Sequence, residues 1–339
     1  MTTTAARETL TTTVPRTGLV VGALVVVYLV WWSTYLGIRV LVEEAPPLQS
    51  AGVRYFCASL VLGAILAARG GVRRLRVTRR ELGGAAFLGL MLPVLGNGLV
   101  SVGENLGAPS GITALLIAIA PLMITVFRTA AGDRPRGLST FGIVLGFAGL
   151  AYLVLQGRGQ GAGEVPILAA GIILFASTCW AFGSWVQPRL RLPKDVFVTT
   201  VYEMLAGGLI LLGAGTAAGE RFSPSSYGPR TWLALGYLVV FGSVIAFTAY
   251  VWLLANAPIS LVATYAYVNP VVAVFLGWLI LSEPVTGAVV KGGGVVVLAV
   301  AIVITAERPR RKRLPDCPDG PTPGSAQEPA AGGPAVDRA

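Results

Sequence analysis

Ten apolar stretches of about 20 residues, each enough for a helix to cross a bilayer, recur along this chain. They lie at 18–40, 48–68, 82–103, 109–129, 138–156, 166–187, 196–218, 231–254, 259–281 and 287–305. In hydrocarbon every backbone N–H and C=O must be satisfied internally, which leaves helices or a closed barrel. Runs this long and this continuous predict helices. The expected fold is therefore all-α and integral to the membrane, with ten transmembrane helices. Composition agrees: 12% of residues are charged and mean hydropathy is +0.73, where soluble domains carry about 25% charged residues.

The same composition excludes several function classes. The chain has no His, and Cys57, Cys179 and Cys317 are far apart, so neither a zinc site nor a disulfide framework is expected. No metal or cofactor is implied. The net charge of +10 comes from clusters flanking the spans, which are topology signals and not a nucleic-acid surface. With the N-terminus in the cytoplasm, 20 of 26 basic residues fall on the cytoplasmic side. They include Arg69, Arg73, Arg74, Arg76, Arg79 and Arg80 in one loop, and the "RPRRKR" run after the last span. Both termini are thus expected in the cytoplasm. Residues 1–17 form a polar leading segment, and residues 306–339 read as a disordered tail rich in Pro, Gly and Ala. The first apolar run is too long for a signal peptide. No P-loop or catalytic motif appears, which argues against an ATP-driven machine and against an intramembrane enzyme.

A fixed offset of 149 residues places Trp31 on Trp180, Arg54 on Glu203, Pro109 on Pro258, Ala114 on Ala263, Pro121 on Pro270 and Pro135 on Pro284. The unit contains five spans, an odd number, so the second copy enters the membrane upside down. The domains are then 18–156 and 166–305, an inverted repeat of the kind that builds secondary transporters. Pro109 and Pro258 are expected to open helices. Pro121 and Pro270 fall inside spans and are expected to kink them, each freeing a carbonyl that protein or a water-filled cavity must satisfy.

Several stretches in this order resemble the EamA family of the drug/metabolite transporter superfamily. They are "WWSTYLGIR" at 31–39, "PPLQSAGVRY" at 46–55, "GNGLVSVGENLGAPSGITALLIAIAP" at 96–121, "GDRPRG" at 132–137, "CWAFGS" at 179–184 and "TYAYVNPVVAVFLGWLILSEPVTG" at 264–287. The resemblance covers about 18–305. It implies a ten-helix inner-membrane exporter of amino acids, other metabolites or drugs, working by alternating access. It further implies a cavity lined by spans one to four and six to nine, with five and ten peripheral. Ser282 stands where the family pattern usually shows a glycine before the acidic residue.

Candidate site residues follow from polarity inside the spans. Glu203 sits about eight residues into span seven, where a carboxylate costs about 2.5–3.5 kcal/mol on insertion scales. Such residues face cavities, pair, or carry protons. Arg54 occupies the equivalent place in span two. It either binds a substrate carboxylate, pairs with Glu203, or snorkels outward. Glu104 ends span three beside Asn105, and Asn97 lies deeper between two glycines. Trp32, Thr34 and Tyr35 form a wall on span one with Trp31 and Ser33. Trp180, Tyr202, Tyr250, Tyr265, Tyr267 and Asn269 do so in the second half. Aromatic rings with polar tips suit organic substrates, including cations; each taken singly also suits packing or an interfacial belt.

The expected function is a secondary active transporter exporting a small, amino acid-like metabolite or a drug across a bacterial inner membrane, coupled to protons. An uncoupled facilitator is the alternative, followed by a non-transporting scaffold. The expected partners are a small-molecule substrate, protons and the bilayer. Glycines in spans five and ten would permit a homodimer.

Overall fold

The computed structural model describes residues 17–133, 135–156 and 166–306. The expectations for the leading segment, Arg134, Arg158, the "RPRRKR" run, Cys317 and the tail lie outside these residues, as does the side chain of Tyr267.

Within them the fold is all-helical. Helix α1 spans Thr17–Val42, α2 Pro47–Gly70, α3 Arg79–Asn105, α4 Ser110–Ala130 and α5 Gly137–Gln156. After residue 166 come α6 Ile167–Val186, α7 Val196–Ala217, α8 Pro229–Asn256, α9 Tyr265–Leu281 and α10 Gly287–Ala306. Among the described residues, nine helices are long and apolar enough to cross a membrane, and the chain is a multi-pass membrane protein. The expected span 259–281 is not a single rod. A turn at Ile259–Val262 precedes α9, and i→i+3 bonds (Thr264 N–H to Leu261, Ala266 N–H to Ala263) tighten the chain between them.

The helices begin where their sequences predict. Thr78 and Glu81 form a reciprocal capping box at the start of α3, and Asp195 accepts from the Phe197 N–H at the start of α7. Prolines sit at or just before the first turn of α2, α4, α6 and α8. Helix α3 stops at Asn105, and Gly107 takes φ +100° to turn the chain back toward Pro109.

Packing follows the repeat. Helix α2 lies along α7, α4 against α9, and α5 along α10, so each of these contacts joins equivalents. Others come as exchanged pairs: α1 lies on α8 as α6 lies on α3, and α1 touches α9 as α6 touches α4. These contacts map onto one another when the halves are exchanged, whereas α1 also packs on α3 and α4 with no comparably close approach of α6 to α8 or α9 among the described residues. Helix α4 is the most enclosed span, with 83% of its most apolar window buried against 28% for α1 and 33% for α5. The α5–α10 seam is made of glycine. A Cβ on Gly149 would meet Val295 at 2.7 Å, and one on Gly292 would meet Leu153 at 2.9 Å. Gly142, Gly146, Gly149, Gly292 and Gly293 thus pack within the chain, while Gly294 has open space beside it.

The two proline kinks take different forms. In α4 the helix breaks at residues 118–119, and Pro121 falls in the first turn of the segment that follows, where a missing N–H is tolerated. The carbonyl it frees, that of Ile117, accepts the Ser177 hydroxyl from α6 at 3.1 Å. In the second half Pro270 lies inside α9, and the discontinuity comes earlier, at Ala263–Thr264. There the Thr264 hydroxyl bonds back to the Leu261 carbonyl and holds the tight turn. The expectation of equivalent kinks at both prolines is therefore corrected.

Candidate functional site

Helices α3 and α8 share a feature that periodicity does not reveal. Each widens to π-helix over its middle, at Leu90–Gly98 and Leu238–Phe247. These stretches are equivalent in the repeat. A π-helical turn inserts a residue and re-aims side chains, and such turns recur at functional sites. Here they carry Asn97 and Ser243, the two partners of Arg54.

The Arg54 side chain is buried, 3% exposed. Its Nε donates to Ser243 Oγ at 2.8 Å and its Nη1 to Asn97 Oδ1 at 3.0 Å. The guanidinium carbon stands 4.8 Å from the centroid of the Tyr55 ring. Gly242 leaves room for it, since a Cβ there would lie 3.1 Å from Nη2. A guanidinium has five N–H donors, so three are left for a ligand after the two bonds to Ser243 and Asn97. Among the described residues no carboxylate pairs with it. The expected pairing with Glu203 is absent: Arg54 is held by an amide and a hydroxyl instead.

Arg54 faces a cavity of ≈ 30 Å³ between the halves. A single water needs about 10–15 Å³ by this measure, so the space holds a water or two and must widen to admit an organic solute. Thr34, Tyr35, Asn97, Trp180 and Tyr265 line it with Trp31 and Arg54. Its floor is an aromatic cluster. Trp31 meets Trp180 and Tyr265 edge to face, with ring centroids 5.4 and 5.2 Å apart, and lies tilted to Tyr250 at 4.7 Å. The Tyr250 hydroxyl accepts from the Trp180 indole N–H at 3.0 Å and bonds Ser184 Oγ at 2.7 Å. These bonds tie Trp180, in the cavity wall, to Tyr250 behind it.

The remaining candidates lie elsewhere. Trp32 is half-buried on α1 and does not line the cavity. Tyr202 donates to the Leu75 carbonyl at 2.6 Å, joining α7 to the loop before α3. Asn269 is buried, and among the described residues neither of its side-chain polar atoms is hydrogen-bonded. Glu203 and Glu104 are both 0% exposed, and no oxygen of either carboxyl has a partner among the described residues. Glu203 does not line the cavity, although it lies within electrostatic reach of Tyr250. Sequence reading missed Ser243, Gly242, Tyr55 and Phe247. A glycine-serine pair inside an apolar run, "FGSV" at 241–244, was the available signal.

Carboxylates also hold helix starts of the opposite half. Glu44 accepts from the Gly228 N–H at 2.9 Å and the Thr231 hydroxyl at 2.6 Å, at the start of α8. These bonds, the one from Thr231 first, hold its carboxyl below the ordinary value of 4.5. Glu220 accepts from the Gln49 N–H at 2.8 Å at the start of α2. Glu283 accepts from the Ser110 N–H at 2.7 Å, its hydroxyl at 3.0 Å and the Gly111 N–H at 3.2 Å at the start of α4.

Fold and site together define a multi-pass membrane protein with two like halves closing around a polar, aromatic-walled cavity. The sequence model of the EamA-like transporter family matches residues 18–155 and again 167–305. The chain belongs to that family and is a membrane transporter. It is 42% identical over 284 residues to a protein of Escherichia coli (strain K12) described as the uncharacterized inner membrane transporter YedA, covering 83% of this chain and 89% of that one. It is 24% identical over 297 residues to the uncharacterized transporter YvbV of Bacillus subtilis (strain 168), covering 87% and 94%. A chain solved by crystallography shares the fold, with TM-score 0.61 at 20% identity over 86% of this chain and 99% of that one.

Proposed function

We propose that this chain is a secondary transporter of the bacterial inner membrane that exports a small organic solute bearing an anionic group. The observation that carries the reading is Arg54. It is a buried, permanently charged side chain with no carboxylate partner, and it turns its unused N–H groups to a cavity. Burying an unpaired charge is costly, so a site of this kind is built to receive the counter-charge from a ligand. A carboxylate meets a guanidinium bidentately, and the rings of Trp31, Trp180 and Tyr265 supply apolar or cation-binding walls for the rest of the solute.

Transport in this reading is alternating access. The two halves are inverted repeats related by a pseudo-two-fold axis in the membrane plane, and rocking of one against the other opens the cavity to each side in turn. Both termini lie in the cytoplasm. Glu203 supplies the coupling, because an unpaired carboxyl in an apolar setting exchanges a proton more readily than it carries a bare charge. A second reading, an uncoupled facilitator, draws on one observation: Glu203 does not border the cavity.

The test is efflux from cells lacking their own exporters, loaded with amino acids, their toxic analogues and cationic dyes, with and without a proton uncoupler. Efflux of carboxylate-bearing solutes that is lost in Arg54→Gln, in Glu203→Gln and on uncoupling supports the proposal. Efflux that survives both Glu203→Gln and uncoupling supports the facilitator. Efflux confined to solutes without an anionic group overturns the role of Arg54.

A further inference from the structure

Glu104 is a second buried carboxyl that the reading above leaves unused. Its side chain is completely enclosed, and neither oxygen is hydrogen-bonded among the described residues. Thr113 is a neighbour on α4, also fully enclosed, with its hydroxyl toward the Glu104 carboxyl. A fully enclosed carboxyl whose neighbouring hydroxyl is a threonine's is rare in native interiors.

The surroundings give this point two sides. On one side is Glu283, in the turn between α9 and α10, half-buried and clasping the first N–H groups of α4. On the other is Tyr35 of α1, which both feels the charge of Glu104 and lines the central cavity. Arg39 of α1 donates to the backbone carbonyl of Glu104 and not to its carboxylate. Helix α6 brings Ile173 and Ala169 against the adjacent Gly103. Among the described residues Glu283 and Arg39 are the charged groups that act on the Glu104 carboxyl, and none comes from α2 or α6.

We infer that Glu104 is a proton-carrying residue on the side of the cavity away from Glu203, exchanging with water past Glu283 and with the cavity past Tyr35. This rests on the proton-coupled reading of the transporter and adds a place for the proton to stand on the outer half of its path. Only O–H bonds form and break: a hydronium ion on the Glu283 side gives its proton to the Glu104 carboxylate and becomes water, and Glu104 gives that proton to a water in the cavity, which becomes hydronium, when α4 moves. Thr113 offers its hydroxyl to whichever carboxyl oxygen lacks the proton.

The experiment uses the purified full chain in liposomes. Dicyclohexylcarbodiimide, an apolar carbodiimide that adds to protonated carboxyls within membranes, is applied over a range of pH and the modified residues are read by mass spectrometry of peptides. The expected result is modification of Glu104, rising as pH falls, with a changed pH profile in Glu283→Gln. No modification of Glu104 at any pH, whether or not Glu203 reacts, overturns the inference. Efflux that depends on the proton gradient would then leave the coupled reading standing without it, so the two failures are distinguishable. In efflux assays Glu104→Gln should remove the dependence on external pH, and an unchanged dependence also overturns it.

Discussion

Arg54 and Glu203 stand at equivalent points of the two halves, yet one is cradled and the other is bare. The equivalents of the cradle residues show how. Asn97 corresponds to Ala246, Ser243 to Val94, and Gly242 to Pro93. The same backbone, including π-helix at matching positions in α3 and α8, presents an amide, a hydroxyl and open space to the arginine. At the matching positions of the other half stand only hydrocarbon side chains. An arginine does not shed its charge and must be given acceptors. A carboxyl can take a proton and remain in apolar surroundings without partners. Duplication kept the scaffold, and a handful of side chains made one half a place for a fixed charge and the other a place for a removable one.

Replacing the fixed charge should have the largest effect. Arg54→Gln removes hydrogen bonds to a charged group worth about 1.5–3 kcal/mol, so apparent substrate affinity should fall ten- to hundred-fold in transport assays. Glu203→Gln comes next. It should abolish the response to an imposed pH gradient while the protein stays as thermostable as the wild type, because no hydrogen bond is lost. Installing the cradle in the second half, with Val94→Ser and Ala246→Asn together, should weaken that response also; an unaltered pH response would show that bare surroundings are not what Glu203 needs. Gly242→Val should push Arg54 off Ser243, with an overpacking cost of about 1–3 kcal/mol visible in the melting temperature. Ser177→Ala leaves the Ile117 carbonyl without its donor and should cost about 1 kcal/mol.

The smallest effect is that of pH on Glu44. Its carboxyl is held below 4.5 in the folded protein by Thr231 and Gly228. Its contribution is complete above the ordinary value, and it is lost as pH falls through the lower folded value. Glu44→Gln should flatten that acid limb of stability and leave neutral pH unaffected.

Much of this was legible in the sequence because hydrocarbon leaves a chain few choices. The apolar runs, the offset of 149 and the charged residues at 54 and 203 could all be read directly. So could the need for a donor to the carbonyl freed by Pro121, although not that Ser177 would supply it. What escaped depended on register across the interface. A π-helical turn leaves no periodic trace in a run that is apolar all round, so the glycine-serine pair at 242–243 marked a polar point without showing that it would face Arg54. Helix α9 escaped for a similar reason: its break is set by the Thr264 hydroxyl and not by Pro270. Glu44, Glu220 and Glu283 lie between the apolar runs, and only the fold brings each to a helix start in the other half.

The glycine seam between α5 and α10 also has a consequence in time. Helix α5 ends at residue 156 and α10 at residue 306. At about 5–20 residues per second, a ribosome finishes α5 some 8–30 s before its partner exists. For that interval the notched face of α5 is open to lipid and to any neighbouring nascent chain with the same face. Stability of the finished seam does nothing to protect it then; the order and pace of synthesis do. Slowing translation between the two halves should therefore raise the yield of swapped or aggregated chains more than any single substitution on the outer surface.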